Sequence, residues 1–171
     1  MLSESVSLHI EIVDPVETGK TWDKTPVGFF KVVNKIKNRP YYTGHIPGGD
    51  PRNPLGKRWL GLSANGTYGD TYGVHDNNNK SSIGKYVSQG CVRMHNVNIE
   101  KLYDKVQVGT PVAITYSYKS FVDLTNIYGY KFKGYKLKTI NVIAFKSRQT
   151  LNLLALFVLF FNKALKYLEI L

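Results

Sequence analysis

The sequence predicts a mainly β fold with one packed helix, and three observations carry that expectation. Short runs rich in β-branched and aromatic residues recur between Gly, Pro and Asn turns. Within the first 116 residues a single stretch places its apolar side chains at helical spacing. A length of 171 residues suits one domain able to bury a proper core.

The elements follow in chain order. Ser7–Val13 alternates polar and apolar residues and supplies one strand. Phe29–Val33, Trp59–Leu62, Tyr72–His75 and Val112–Tyr116 read as four further short strands. Between the first two of these, Pro40–Gly56 is a long Gly- and Pro-rich insertion, a length common in loops that flank a binding groove. The helix is expected from Asn98 to Val106, with Asn98 as cap, Glu100 early and Lys105 late, as the helix dipole favours. Its apolar residues Ile99, Leu102, Tyr103 and Val106 share one face, which would pack on the sheet.

Beyond Tyr116 the character changes. Residues 117–149 are rich in Tyr, Lys and β-branched residues and are expected to add strands of unclear role. Residues 150–171 form an expected C-terminal helix: Leu151–Phe161 is apolar except for Asn152, and an amphipathic pattern continues to Leu171. That apolar run is well short of the ~20 residues a bilayer span requires. A core helix and an interfacial helix in peripheral membrane contact both fit it.

Charge and cysteine count narrow the partners. The formal net charge of +11 favours anionic partners. Nucleic acid is not expected, because the lysines are dispersed and no helix-turn-helix, zinc-finger or aromatic RNA-binding motif is present. The single cysteine, Cys91, excludes an intramolecular disulfide. His95 lies close to Cys91 in sequence, but zinc wants three or four ligands, so no metal is expected. Met1–Ser7 has neither a basic start nor an apolar run, so no export signal is visible there.

The residues that carry chemistry cluster around Cys91. A thiol attacks as its thiolate, and an imidazole that accepts its proton would lower its pKa and later return a proton to a leaving amine. His75, sixteen residues upstream, is the candidate base. Gly90 lets the chain turn tightly before the nucleophile, so that the Cys91 N–H and a neighbouring amide could form an oxyanion hole. No cofactor is needed for such acyl transfer.

Tyr72-Gly73-Val74-His75, Ser82-Ile83-Gly84-Lys85 and Ser88-Gln89-Gly90-Cys91-Val92-Arg93-Met94 together resemble the signature of the L,D-transpeptidase catalytic domain, the YkuD type. The resemblance runs over residues 17–116, taking in Thr18-Gly19-Lys20, Thr25-Pro26-Val27-Gly28 and Gly109-Thr110-Pro111-Val112. It implies a curved β-sandwich with one packed helix as the catalytic domain over residues 1–116. It also implies a peptidoglycan enzyme that cross-links third stem residues through a cysteine thioester, releases D-Ala and is acylated by carbapenems. By that resemblance Cys91 and His75 are catalytic, while Ser88, Gly90, Gly73 and Tyr72 shape the site. The planar fork of Arg93 suits a stem-peptide carboxylate, and His95 and Asn96 are the other expected substrate contacts. A backbone carbonyl near Tyr72 or Gly73 would orient the imidazole. The implied partners are peptidoglycan stem peptides and anionic wall polymers, met by a monomer on the outer side of the cell envelope. Asp76 departs from the family, which usually has glycine there. Three alternatives stay open: an L,D-carboxypeptidase, a wall cysteine peptidase and an impaired wall-binding module. The NlpC/P60 cysteine peptidases place Cys before His, the reverse of the order seen here.

Overall fold

The computed structural model describes residues 12–14, 16–117, 123, 127, 143–145 and 155–160. Its strands are β1 (Ile12–Asp14), β2 (Thr18–Gly19), β3 (Gly28–Lys37), β4 (Arg58–Leu62), β5 (Gly73–His75), β6 (Tyr86–Ser88), β7 (Val92–Arg93), β8 (Pro111–Ser117), β9 (Ile143–Phe145) and β10 (Ala155–Phe160), with helix α1 (Asn96–Lys105) between β7 and β8. A curled six-stranded sheet runs in the order β10-β8-β3-β4-β5-β7. Two small parallel pairs, β2 with β6 and β1 with β9, complete the strand pairing. The architecture is mainly β with one α-helix among the described residues.

The long strand β3 makes the curl. Its first part, Gly28–Lys31, pairs with β8, whereas the part from Val32 to Lys37 pairs with β4. A register shift between Val32 and Asn34 marks the changeover, and such a bulge bends a strand and increases its twist. β3 thus runs to Lys37, past the expected end at Val33. The extension is polar in sequence, yet Lys35 lies with its ammonium 4.5 Å from the centre of the Tyr103 ring and donates to the Val106 carbonyl at 2.6 Å. Its stem covers apolar surface while its charge finds partners.

The core lies between the sheet and α1. Leu60, Val74 and Val92 from three adjacent strands meet Ile99, Leu102 and Tyr103 from the helix, with Val32, Met94 and Ile114 in the same cluster. Ile99 and Leu102 are the helix's core face, as the periodicity predicts. The helix begins at Asn96, two residues before the expected start near Asn98. His95 occupies the cap position without a side-chain cap, and its carbonyl accepts from the N–H groups of Asn98 and Ile99. Met94 is buried in the core immediately before, so the chain is already docked where the helix starts.

The C-terminal region departs from expectation. Ala155–Phe160, placed by sequence within a helix spanning 150–171, is strand β10, antiparallel to β8 over its full length from Ala155↔Ser117 to Phe160↔Val112. A short continuous apolar run fits a buried strand as well as a helix segment, and here the open edge of β8 decides. The rest of 150–171 lies outside the described residues. Within 117–149, β9 is a strand and Asp123 and Ile127 are helical.

Candidate active site

Strand register builds the site. Across β4 and β5, Trp59 faces His75, Leu60 faces Val74 and Gly61 faces Gly73. Across β5 and β7, Val74 faces Val92 and His75 faces Arg93. Side chains alternate between the two faces of a sheet, so Leu60, Val74 and Val92 point into the core. Trp59, His75 and Arg93 then share the opposite face, and Cys91, two residues before Arg93, projects to that same face. The expected nucleophile thus lies immediately before β7, two residues from the position that pairs with the expected base on β5.

The turn before Cys91 is held by Ser88. The Gly90 N–H donates to Ser88 Oγ at 3.1 Å, and the Ser88 hydroxyl donates to the Cys91 carbonyl at 2.7 Å. Gly90 itself has φ +138°, in the region glycine favours. A Cβ there would fall 2.6 Å from the Lys24 carbonyl oxygen and 3.1 Å from the Tyr72 ring. Gly90 is thus required by close backbone approach, and because its N–H is spent on Ser88, an oxyanion hole has to be built from the Cys91 N–H and another amide.

The thiol and the imidazole rest in their neutral forms. Cys91 is half-buried, its Sγ lies 3.5 Å from the Thr71 carbonyl, and burial pushes the thiol up, against the opposing pull of the Gly73 backbone amide and the Arg93 and Arg39 charges. This corrects the expectation of a thiol lowered by its base. His75 is fully buried and its pKa falls to about 3, first through burial and then through the Arg93 charge. Its Nδ1 lies 2.6 Å from the Asp76 carbonyl oxygen. A carbonyl only accepts, so Nδ1 carries the proton. The orienting carbonyl is therefore that of Asp76, not of Tyr72 or Gly73. Trp59 stacks on the other side, with ring centres 5.4 Å apart and planes 22° from parallel.

Comparison with known proteins gives this site a family. The L,D-transpeptidase catalytic domain (YkuD) model matches residues 10–114. The chain belongs to the L,D-transpeptidase catalytic domain family. It is 48% identical over 115 residues to "Putative L,D-transpeptidase YqjB" of Bacillus subtilis (strain 168), covering 67% of this chain and 65% of the relative. It is 44% identical over 101 residues to "Putative L,D-transpeptidase YkuD" of Bacillus licheniformis, covering 59% of this chain and 51% of the relative. The chain thus spans less than two thirds of the length of these curated relatives. A solved structure of an L,D-transpeptidase from Mycobacterium smegmatis is 28% identical, covers 57% of this chain and 46% of that one, and superposes with a TM-score of 0.38.

The charge of Arg93 is already answered. Its Nη1 donates to Glu17 Oε1 at 2.5 Å, and Glu17 is fully buried. The two residues also exchange backbone hydrogen bonds of 2.9 Å in each direction. The other Glu17 oxygen accepts from the Ser82 hydroxyl and, at 3.3 Å, from Asn77 Nδ2. Ser82 opens the Ser-Ile-Gly-Lys motif, whose Gly84 N–H donates to the Val16 carbonyl and whose Lys85 carbonyl accepts from Thr18. That motif therefore pins the segment ahead of Cys91 to β2 through a buried acid.

The remaining expected residues fall around this frame. Gly73 lies beneath the Trp59 ring, where a Cβ would come within 2.7 Å of it. Tyr72 is half-buried, and its hydroxyl lies 3.4 Å from Asn65 Nδ2. Asn96 Oδ1 accepts from the Asn77 N–H at 3.1 Å, which joins the helix start to the segment after His75. His95 is half-buried at the cap of α1. Glu17, Asn77, Trp59 and Arg39 are not among the site residues expected from sequence. The recurrence of Asn and Ser between His75 and Cys91 is the one signal that could have pointed to a buried polar network there.

The insertion 40–56 closes beside the base. Asn53 is buried and donates to the Arg39 and Pro47 carbonyls at 3.0 and 3.1 Å, giving the loop a polar centre. Asp76, fully buried, accepts the Lys57 N–H on Oδ2 at 2.6 Å, while its Oδ1 has no hydrogen-bond partner among the described residues. Burial raises this carboxyl to about 6, despite the hydrogen bond from Lys57. Side chain and main chain of Asp76 thus have separate partners, the loop end and the imidazole.

Proposed function

We propose that the chain is a peptidoglycan L,D-transpeptidase in which Cys91 carries the acyl group and His75 moves the proton. The observation that supports this reading is strand register: β5 and β7 pair His75 with Arg93, and Cys91 stands two residues before Arg93 on the same expected face. Because thiol and imidazole both rest neutral, the proton leaves Sγ as sulfur attacks. The carbonyl attacked joins the diamino acid at the third stem position to D-Ala at the fourth. A C–S bond forms, the C–N bond breaks, and the proton held by His75 passes to the departing amine. The Cys91 N–H faces the developing oxyanion.

In the second half-reaction the side-chain amine of another stem attacks the thioester. His75 accepts a proton from that amine, the C–S bond breaks and the thiol is regenerated. Water in place of the amine gives an L,D-carboxypeptidase. Asp76, through its carbonyl, keeps Nδ1 protonated so that the other ring nitrogen is the acceptor. The proposed substrate and the basic net charge support a position on the outer side of the envelope, among stem peptides and anionic wall polymers. The expected substrate contacts at Arg93, His95 and Asn96 remain part of the proposal, with Arg93 acting mainly through the frame it shares with Glu17. Incubation with a tetrapeptide stem tests the reading: D-Ala and a dimer linked between third residues are expected, and both should disappear in Cys91→Ser. Release of D-Ala at an unchanged rate by Cys91→Ser would overturn it.

A further inference from the structure

Two arginines bring positive charge to the thiol, and they differ in what answers it. Arg93 is paired with buried Glu17. Arg39 has no carboxylate within ion-pair distance among the described residues. Its guanidinium lies 4.2 Å from the centre of the Trp59 ring, and Trp59 in turn stacks on His75. Tyr42 stands 5.8 Å away with 69% of its surface exposed, so the guanidinium has aromatic neighbours at the rim of the site. One amino group donates to the Asp70 carbonyl at 2.8 Å. An arginine fork has five N–H donors, so most of its capacity is unspent.

The loop that holds Arg39 also contacts the nucleophile. Asp70 gives its carbonyl to Arg39, and the next residue, Thr71, gives its carbonyl to Cys91 Sγ. Arg39 and Cys91 are thus tied to consecutive residues of one loop, and the Arg39 charge acts on the thiol. The planar fork suits a carboxylate bidentately, and the flat indole face keeps it oriented.

We propose that Arg39 is the specificity-determining residue that binds a carboxylate of the donor peptide beside Cys91, a role the sequence reading gave to Arg93. This rests on the transpeptidase reading above. The ligand chemistry is a peptide carboxylate, either the C-terminal carboxylate of the leaving D-Ala or the one on the diamino acid. Arg39 holds the anion and transfers no proton.

Alkylation of Cys91 tests the anion site without requiring turnover. Iodoacetate and iodoacetamide differ in charge and form the same kind of S–C bond, so the ratio of their rates reads attraction for a carboxylate, and the iodoacetamide rate controls for the integrity of the site. Arg39→Met should lower that ratio roughly tenfold, the scale of losing one charge-assisted hydrogen bond, and Arg39→Lys should restore part of it by keeping charge without the fork. A ratio unchanged in Arg39→Met would overturn the assignment.

Peptide kinetics then separate the two carboxylates. The wild type should favour the acid over the amide at one of those positions, chiefly in KM, and Arg39→Met should lose that preference. Loss at the C-terminal position assigns the leaving residue, and loss at the diamino acid assigns the third. Equal discrimination by wild type and Arg39→Met would refute a role in specificity. A wild-type protein that processes neither peptide would refute the transpeptidase reading, and the alkylation ratio would still decide whether Arg39 binds carboxylate.

Discussion

The two faces of the β4-β5-β7 sheet are made by alternate residues of the same three strands, yet they do opposite work. On one face Leu60, Val74 and Val92 are fully buried against α1 in an apolar cluster. On the other, Trp59, His75, Cys91 and Arg93 are set against loops and a buried carboxylate. A strand period of two lets one short segment serve both purposes, and a slip of one residue would exchange them. Stability on the first face comes from apolar area, whereas the second spends burial on holding groups neutral or paired.

Substitutions that act on only one face test that division. The largest effect is expected at Cys91. Cys91→Ala should reduce D-Ala release by roughly a thousandfold or more, the scale of losing a nucleophile, while the melting curve stays close to wild type. Leu60→Ala should do the reverse: denaturant unfolding should show a loss of about 2–5 kcal/mol, with Cys91 in the folded fraction alkylated at the wild-type rate. Equal damage to folding and chemistry from either variant would break the division between faces.

The base comes next. His75→Ala should slow iodoacetamide alkylation of Cys91 at neutral pH by roughly a hundredfold or more, the lower end of what a general base contributes. His95→Ala, at the helix cap, should leave it nearly unchanged. Indistinguishable rates in the two variants would remove His75 from its role.

A smaller effect should appear in the pH dependence of stability, where adjacent residues oppose each other. His75 has a folded pKa lowered to about 3, below the unfolded value, so its contribution is present above about 6.5 and is lost as pH falls toward the folded value. Asp76 has a folded pKa raised to about 6 from 3.8, so its contribution is present at low pH and is lost as pH rises through that value. Between about pH 4 and 6 the two slopes have opposite signs. Asp76→Asn keeps an acceptor for the Lys57 N–H and removes one slope, so stability should rise more steeply with pH across that window. Parallel profiles for wild type and variant would show that Asp76 does not titrate there.

How much of this was legible in the sequence follows from the range of each interaction. Cys91, His75, Gly90 and Ser88 lie within one block, and the strands at Trp59–Leu62 and Val112–Tyr116 are apolar enough to declare themselves. Glu17 reaches Arg93 across the chain, and an acid near the N-terminus carries no local sign that it will be buried. The polar end of β3 lay beyond the expected strand because Lys35 hides its stem against the core. Ala155–Phe160 looked helical because short apolar runs carry no decisive period, and pairing with β8 is a tertiary event. Asp76 read as a departure from the family pattern, whereas its carbonyl is what orients the base and its side chain what anchors the loop.

The central claim is that the acyl group passes through Cys91. Acid quenching during turnover of a tetrapeptide stem, followed by peptide mapping by mass spectrometry, tests it directly. A tripeptide acyl adduct on the peptide containing Cys91, absent from Cys91→Ala and discharged when an acceptor stem is added, is the predicted result. Release of D-Ala with no adduct under conditions that preserve thioesters, or an adduct on another residue, would contradict it.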